Sequence, residues 1–272
     1  MPKGVKSLPD YWYCKKAAVL GAKRRYELYG NPGTVEGRRK GGLSSIRKFH
    51  ADPDFAKRVG FQLRKEIRRP GETAELAEFI GIVIGDGGIR DGRQVAVTFG
   101  TAKEKPFAKY VQGMINRLFG LSSSIYPKKG ALAADVVVSS VSLAEYLREK
   151  LENKKVHRSL NRTDLPGWVL KNSIYKASCL RGLMDTDGGV YCHRYKIRGK
   201  WYQYPRLSFC STSPFLLHSV CNILKDLEFT PKIGRYRVTL YRLPELKRYF
   251  DEIGTHNPKH SERYAAFCNN SN

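Results

Sequence analysis

An internal repeat sets the limits on how this chain can fold. A helix candidate at residues 75–85 (ELAEFIGIVIG) runs into Asp86-Gly87-Gly88. About a hundred residues later, residues 175–186 (YKASCLRGLMDT) run into Asp187-Gly188-Gly189. The segments after the two motifs are also alike. A strand at residues 94–100 precedes a helix at 105–119, and a strand at 204–210 precedes a helix at 214–227. Two strand-like runs come next in each half, at 124–128 and 132–139, and at 232–235 and 237–242. A closing helix ends each half, at 143–151 and 244–253. The expected fold is therefore α+β, with two pseudo-symmetric αββαββα halves, each a sheet packed by helices. Such a chain behaves like a fused dimer.

The two helices carry small residues at a spacing of four, Gly81 with Gly85 and Gly182 with Thr186. Small residues at that spacing let two helices approach backbone to backbone. An interior glycine costs a helix about 1 kcal/mol, so close packing is the expected reason for it. Parallel helices packed this way bring their C-termini together, and with them Asp86 and Asp187. Two carboxylates there face like charge and the negative ends of two helix dipoles. Divalent cations relieve that arrangement, and oxygen ligands of this kind suit Mg²⁺. The position before each aspartate's predecessor differs, Ile84 in one helix and Asp185 in the other, and no role is assigned to it.

Charge points to the partner. Lys and Arg number 49 against 25 Asp and Glu, a net of +24. Such an excess most often reflects a polyanion. The first 70 residues hold 18 basic and 6 acidic side chains, a net of +12. In this segment, residues 11–29 are an expected helix, residues 37–42 (GRRKGG) a basic turn, and residues 55–69 a second helix begun at Asp52-Pro53-Asp54. The domain plan is a basic helical extension (1–71), a first half (72–152), a linker (153–166) and a second half (167–272).

Strand alternation assigns faces. Val95, Val97 and Phe99 oppose Gln94, Ala96 and Thr98, while Leu207 and Phe209 oppose Arg206 and Ser208. In the last strand Arg235, Arg237, Thr239 and Tyr241 share a face. Each sheet thus offers polar and basic side chains suited to phosphate and base-edge contacts. Candidate DNA contacts are Arg38, Arg39 and Lys40 in the extension. Arg90, Arg93, Gln94, Thr98, Tyr126 and Lys128 join them from the first half. Arg194, Lys196, Arg198, Arg206, Ser208, Arg235, Arg237, Thr239 and Tyr241 complete the set in the second.

Six widely spaced cysteines with no Cys-x-x-Cys pair argue against a disulfide framework. His256 and His260 stand four apart, but no acidic or cysteine partners lie nearby at matching spacing, and they are read as ordinary polar residues. No apolar run reaches the ~18 residues of a membrane span, and no secretory signal is visible. An intracellular monomer is expected. An intein is not, since the chain opens Met-Pro and closes Ser-Asn.

The two motifs, FIGIVIGDGGI and LRGLMDTDGGV, resemble the signature helices of single-chain LAGLIDADG homing endonucleases. The resemblance covers about residues 75–264, including the closing IGTHNPKHSERY. It implies that the two helices form the central interface, through Gly81, Gly85, Gly182 and Thr186. It implies that each half is a saddle-shaped antiparallel sheet, seated in the major groove of a long asymmetric site on double-stranded DNA. It implies divalent-metal-dependent cutting of both strands across the minor groove, leaving 3′ overhangs. Carried over, Asp86 and Asp187 are catalytic metal ligands, and the carbonyls of Gly85 and Thr186 are further ligands. Two or three Mg²⁺ ions are expected, with Mn²⁺ or Ca²⁺ as substitutes for binding. Lys103 fits the catalytic lysine that many members place after the second strand. The matching place near Ser211 has no lysine, which leaves Arg206 or Arg242 as substitutes. Retention of both aspartates favours a nuclease over two alternatives on the same scaffold, a maturase acting on its own intron RNA and a non-cutting DNA-binding regulator.

Overall fold

The computed structural model describes residues 11–31, 33–152 and 164–269, with backbone alone for 11–16 and 269. Most of the expected linker, residues 153–163, lies outside the described residues. The chain forms two compact units that divide between Leu63 and Arg64.

The first unit holds α1 (Tyr11–Tyr29), α2 (Val35–Ala51) and α3 (Pro53–Arg58). The GRRKGG segment, expected as a turn, is helical and lies inside α2. Its helix is started by Thr34, whose hydroxyl accepts the Gly37 N–H at 3.0 Å, and is supported by a Glu36–Lys40 pair one turn apart. The expected helix at 55–69 stops at Arg58. Gly60 takes φ +77°, and Phe61 N–H returns to the Ala56 carbonyl at 2.8 Å, the glycine-dependent stop of a Schellman turn. No residue of α2 is buried.

The second unit begins with an extended strap. Arg64 Nε donates to Ser142 at 2.9 Å, Arg68 N–H to the Phe119 carbonyl at 3.0 Å, and Tyr146 to the Pro70 carbonyl at 2.7 Å. The two halves come next, in the expected order. The first is α4 (Ala74–Gly85), β1 (Gly87–Arg90), β2 (Gln94–Gly100), α5 (Lys105–Phe119), β3 (Ser124–Pro127), β4 (Ala133–Ser139) and α6 (Val141–Lys150). After a short α7 (Gly167–Leu170), the second is α8 (Ser173–Asp187), β5 (Gly188–Ile197), β6 (Lys200–Cys210), α9 (Pro214–Asp226), β7 (Lys232–Ile233), β8 (Arg237–Leu240) and α10 (Leu243–Glu252), closed by α11 (Pro258–Asn269).

Each sheet is antiparallel, in the orders β1-β2-β4-β3 and β5-β6-β8-β7. The opening hairpins turn through Asp91-Gly92 and Arg198-Gly199, all four at positive φ, as a type I′ turn requires. The second hairpin is much longer than expected. β5 and β6 pair from Gly188↔Phe209 to Ile197↔Lys200, but β8 covers only residues 207–210 of β6. The rest stands out as a two-stranded ribbon.

Helices α4 and α8 form the centre. The glycine spacing works as expected, and the reason is steric. A Cβ on Gly81 would lie 2.2 Å from the Cys179 carbonyl oxygen, and one on Gly182 would lie 2.2 Å from that of Glu78. A Cβ on Gly85 would strike Thr186 and come within 3.2 Å of an Asp187 carboxylate oxygen. Contacts advance together along both helices, so they run in the same direction and end together. Gly182→Ala is expected to destabilise the protein by about 1–3 kcal/mol through overpacking, read as a lower urea midpoint. An unchanged midpoint would contradict the tight crossing.

Candidate nuclease centre

Asp86 caps the C-terminus of α4, and Asp187 is the last residue of α8. Asp86 opens onto a cleft of about 920 Å³, lined also by Gly88, Arg90, Ala96, Thr98 and Arg148. Crowding by protein, then the negative charge of Glu104, pushes the Asp86 pKa from 3.8 up to about 6. Desolvation and the charge of Asp86 push Asp187 up to about 7. Both aspartates therefore hold their negative charge against cost, as a site made for cations does. The carbonyls of Gly85 and Thr186 lie in the last turns, where helix carbonyls lack intrahelical partners.

Lys103, the expected catalytic lysine, is exposed in the turn before α5. The cations acting on Asp86 are instead Lys259 and Lys128, and Lys259 acts on Asp187 as well. Lys259 sits in α11, at the far end of the sequence from the strand that suggested Lys103.

A buried polar network flanks the pair, and no sequence pattern announced it. Glu78 on α4 is 1% exposed. It takes Arg181 of α8 at 2.5 and 3.0 Å, the His256 ring at 2.7 Å and Tyr110 Oη at 2.8 Å. Burial opposes its charge, but bonds from His256 and Arg181 hold its pKa below the ordinary value. Asp185, a position without a role in the sequence reading, is fully buried and accepts from the Thr255 hydroxyl and from His256 N–H. Ligand-type atoms of Glu78, Asp185 and His256 lie within 4.8 Å of one another. Arg181, Tyr110, Thr255 and His256 already engage these carboxylates, so the cluster is a hydrogen-bonded clamp between the helices. His256, expected to be an ordinary polar residue, is exposed and also bonds to this buried network.

On the first sheet, Arg90, Gln94, Thr98 and Tyr126 share one face through the pairs Arg90↔Gln94, Thr98↔Asp135 and Tyr126↔Asp135. Asp135, which sequence reading passed over, is 5% exposed. It gathers Arg90 at 2.8 Å, Thr98 at 2.8 Å and Lys128 at 3.1 Å, fixing three candidate contacts in one array. Arg93 is exposed beside the hairpin turn.

On the second sheet, paired residues share a face, so Tyr191, His193, Tyr195, Tyr202, Tyr204, Arg206 and Ser208 line one side. Arg206 stacks over Tyr241 at 4.6 Å, and Lys232 approaches the same ring at 5.5 Å. Four expected contacts do not stand open on the polar face. Arg194 pairs with Gln203 and Lys196 with Trp201, which places both on the reverse side; Arg194 there shares a groove with Arg263 of α11. The other two are Ser208 and Thr239. They lie on the expected face but are 4% and 1% exposed and bond each other at 2.7 Å, so they brace the sheet. Arg198 occupies the ribbon turn, and Arg235 and Arg237 are exposed. In the first unit Arg38, Arg39 and Lys40 are exposed along α2.

Cys179, Cys192, Cys210, Cys221 and Cys268 are free thiols. Among the described residues no helix is long and apolar enough to cross a membrane.

No family model and no curated protein matches the sequence. Solved structures do. I-SmaMI bound to uncleaved DNA target with calcium ions is similar over 73% of this chain and 90% of that one, at 11% identity and a TM-score of 0.50. I-DmoI in complex with DNA and Ca is similar over 71% and 96%, at 21% identity and a TM-score of 0.47. Full-length DUF199/WhiA from Thermatoga maritima is similar over 68% and 57%, at 14% identity and a TM-score of 0.44. The likeness to I-SmaMI shows a shared fold.

The raised pKa values give a sign. An acid with a higher pKa folded than unfolded binds extra protons in the native state, so stability falls as pH rises between the two values. Metal-free protein is expected to lose melting temperature from about pH 4 to 7, and Asp187→Asn to lose less. Added divalent cation restores it at the upper end for the native chain alone. Equal pH profiles for both proteins would contradict the strained pair.

Proposed function

We propose that the LAGLIDADG fold seen here serves a sequence-specific, divalent-metal-dependent endonuclease that cuts both strands of a long, asymmetric DNA site and leaves 3′ overhangs. The observation that carries this reading is the placement of Asp86 and Asp187 at the ends of two glycine-packed helices, each helix leading directly into a sheet rich in basic side chains. A non-cutting binder has no use for two carboxylates held above their ordinary pKa next to a polyanion.

The carboxylates of Asp86 and Asp187, with the carbonyl oxygens of Gly85 and Thr186, would hold the cations, Mg²⁺ being the expected one. When bound, the metal activates water and stabilises charge on the phosphate and leaving oxygen. The chain's own residues do the rest. Arg90 and Lys128, fixed by Asp135, and Arg206, fixed on Tyr241, offer preorganised positive charge to the DNA backbone and base edges. Arg38, Arg39 and Lys40 add phosphate contacts from the first unit. I-SmaMI, which shares the fold, is described bound to its uncleaved DNA target in the presence of calcium ions, which agrees with the same partner and cofactor class here.

Asp187→Asn is expected to abolish double-strand cleavage while DNA affinity changes by less than about threefold, since only the transition-state interaction is lost. Full cleavage by this variant would remove the assignment. Replacing Arg38, Arg39 and Lys40 together by Ala is expected to flatten the salt dependence of binding by up to about 3 in log–log slope. An unchanged slope would show that α2 does not touch the DNA backbone.

A further inference from the structure

The segment after α10 makes contacts out of proportion to its length. Residues 254–260 form a short strap leading into α11, and Asn257 at its centre is fully buried. Its amide nitrogen donates to Glu104 Oε1 at 2.9 Å and to the Asp185 carbonyl at 2.8 Å. Its amide oxygen accepts from Lys259 N–H at 3.2 Å, and its own N–H donates to the Thr255 hydroxyl at 3.1 Å. Glu104 belongs to the first half, at the start of α5, and Asp185 to the signature helix of the second. One side chain therefore joins the two halves beside the carboxylate pair.

Glu104 is itself fully engaged. Besides Asn257, it accepts Lys259 Nζ at 2.7 Å and Gly100 N–H at 2.7 Å. Its oxygens are thus held by three donors, and they anchor Lys259 where that ammonium acts on Asp86 and Asp187 alike. Ser213 caps α9 at the matching place in the second half, so Glu104 and its strap partners have no counterpart there. A lysine held at 2.7 Å by a carboxylate that also takes a buried amide is fixed in place, unlike a surface lysine, which samples many rotamers.

We propose that residues 254–260 are a positioning element of the nuclease centre. Asn257 ties the two halves together at the end of the helix pair, through Glu104 and the Asp185 carbonyl, and Lys259, held by Glu104, is a built-in cation beside the divalent-metal site. Lys259 is a positioning residue for the metal-binding pair and lowers the repulsion between the two carboxylates when metal is absent. Its cleavage arm rests on the endonuclease reading; its metal-binding arm does not.

The test uses the full chain with Lys259→Met, Lys259→Arg and Asn257→Ala, and measures Mn²⁺ binding by electron paramagnetic resonance, single-turnover cleavage of each strand, and melting temperature. Removing the competing positive charge in Lys259→Met is expected to tighten Mn²⁺ binding by at least about threefold. The same change is expected to slow cleavage by about 10–100-fold, the usual cost of losing a partner behind a metal site. Lys259→Arg is expected to stay near the native values in both. Asn257→Ala is expected to weaken Mn²⁺ binding, because the carboxylates lose their spacing. Opposite movement of metal affinity and cleavage in Lys259→Met is a signature that loss of fold cannot produce. Unchanged or weaker Mn²⁺ binding in Lys259→Met overturns the inference, as does a parallel fall of affinity, cleavage and melting temperature. If the native chain binds Mn²⁺ but cuts no duplex, the endonuclease reading fails and the Mn²⁺ titration alone decides the role of the strap.

Discussion

Everything in the second unit depends on how closely α4 and α8 cross. At Gly81 and Gly182 there is no room for a single methyl group, since each Cβ would sit 2.2 Å from a carbonyl oxygen of the other helix. That crossing fixes the relative position of the two halves. It also ends both helices at one place, so Asp86 and Asp187 meet and the sheets flank them. The charge repulsion at the helix ends comes from the same packing. A looser crossing with side chains between the helices would relieve the carboxylates and lose the shared cation site.

The pseudo-symmetry stops at the polar residues beside the crossing. With the two motifs aligned on their aspartates, Glu78 matches Cys179, Ile80 matches Arg181 and Ile84 matches Asp185. One flank of the helix pair is thus apolar, and the other carries a buried Glu78–Arg181 pair and a buried Asp185. Buried ion pairs add little net stability and are severely destabilising when half is removed. Their value here is in pairing unlike halves in one register. The polar flank is also the one covered by residues 254–260, which supply Thr255, His256 and Asn257 to it. The asymmetry of the helices and the path of the C-terminal strap are therefore one feature, and it leaves the two carboxylates with unequal neighbours, Glu104 acting on Asp86 and Asp86 itself acting on Asp187.

The parts of this arrangement that were legible in the sequence are those written as local patterns. The repeat, the small residues four apart and the alternation of Val95, Val97 and Phe99 each reflect one periodicity read against one face. The parts that were hidden depend on residues distant in sequence. Lys259 reaches the centre from 155 residues beyond Glu104, and no spacing rule connects them. Lys103 fits a family position and stands exposed in the turn before α5. The face taken by Arg194 and Lys196 is set by the β5–β6 register, which follows from the turn at Arg198-Gly199 rather than from the two residues themselves. Two local signals bear on the first unit: Gly60, placed after a short helix, marks the stop before residue 69, and Thr34 marks a helix start ahead of the GRRKGG segment.

If Asp86 and Asp187 form a metal-dependent DNA-cutting centre, the cut ends will reveal it. The decisive measurement is selection from a randomised duplex library with Mg²⁺ present, sequencing the cut ends, beside an Asp86→Asn control. The expected result is one long asymmetric site, cut on both strands with 3′ overhangs and untouched by the control. Tight, sequence-selective binding with no cut ends in either protein would contradict a cutting centre at these two carboxylates.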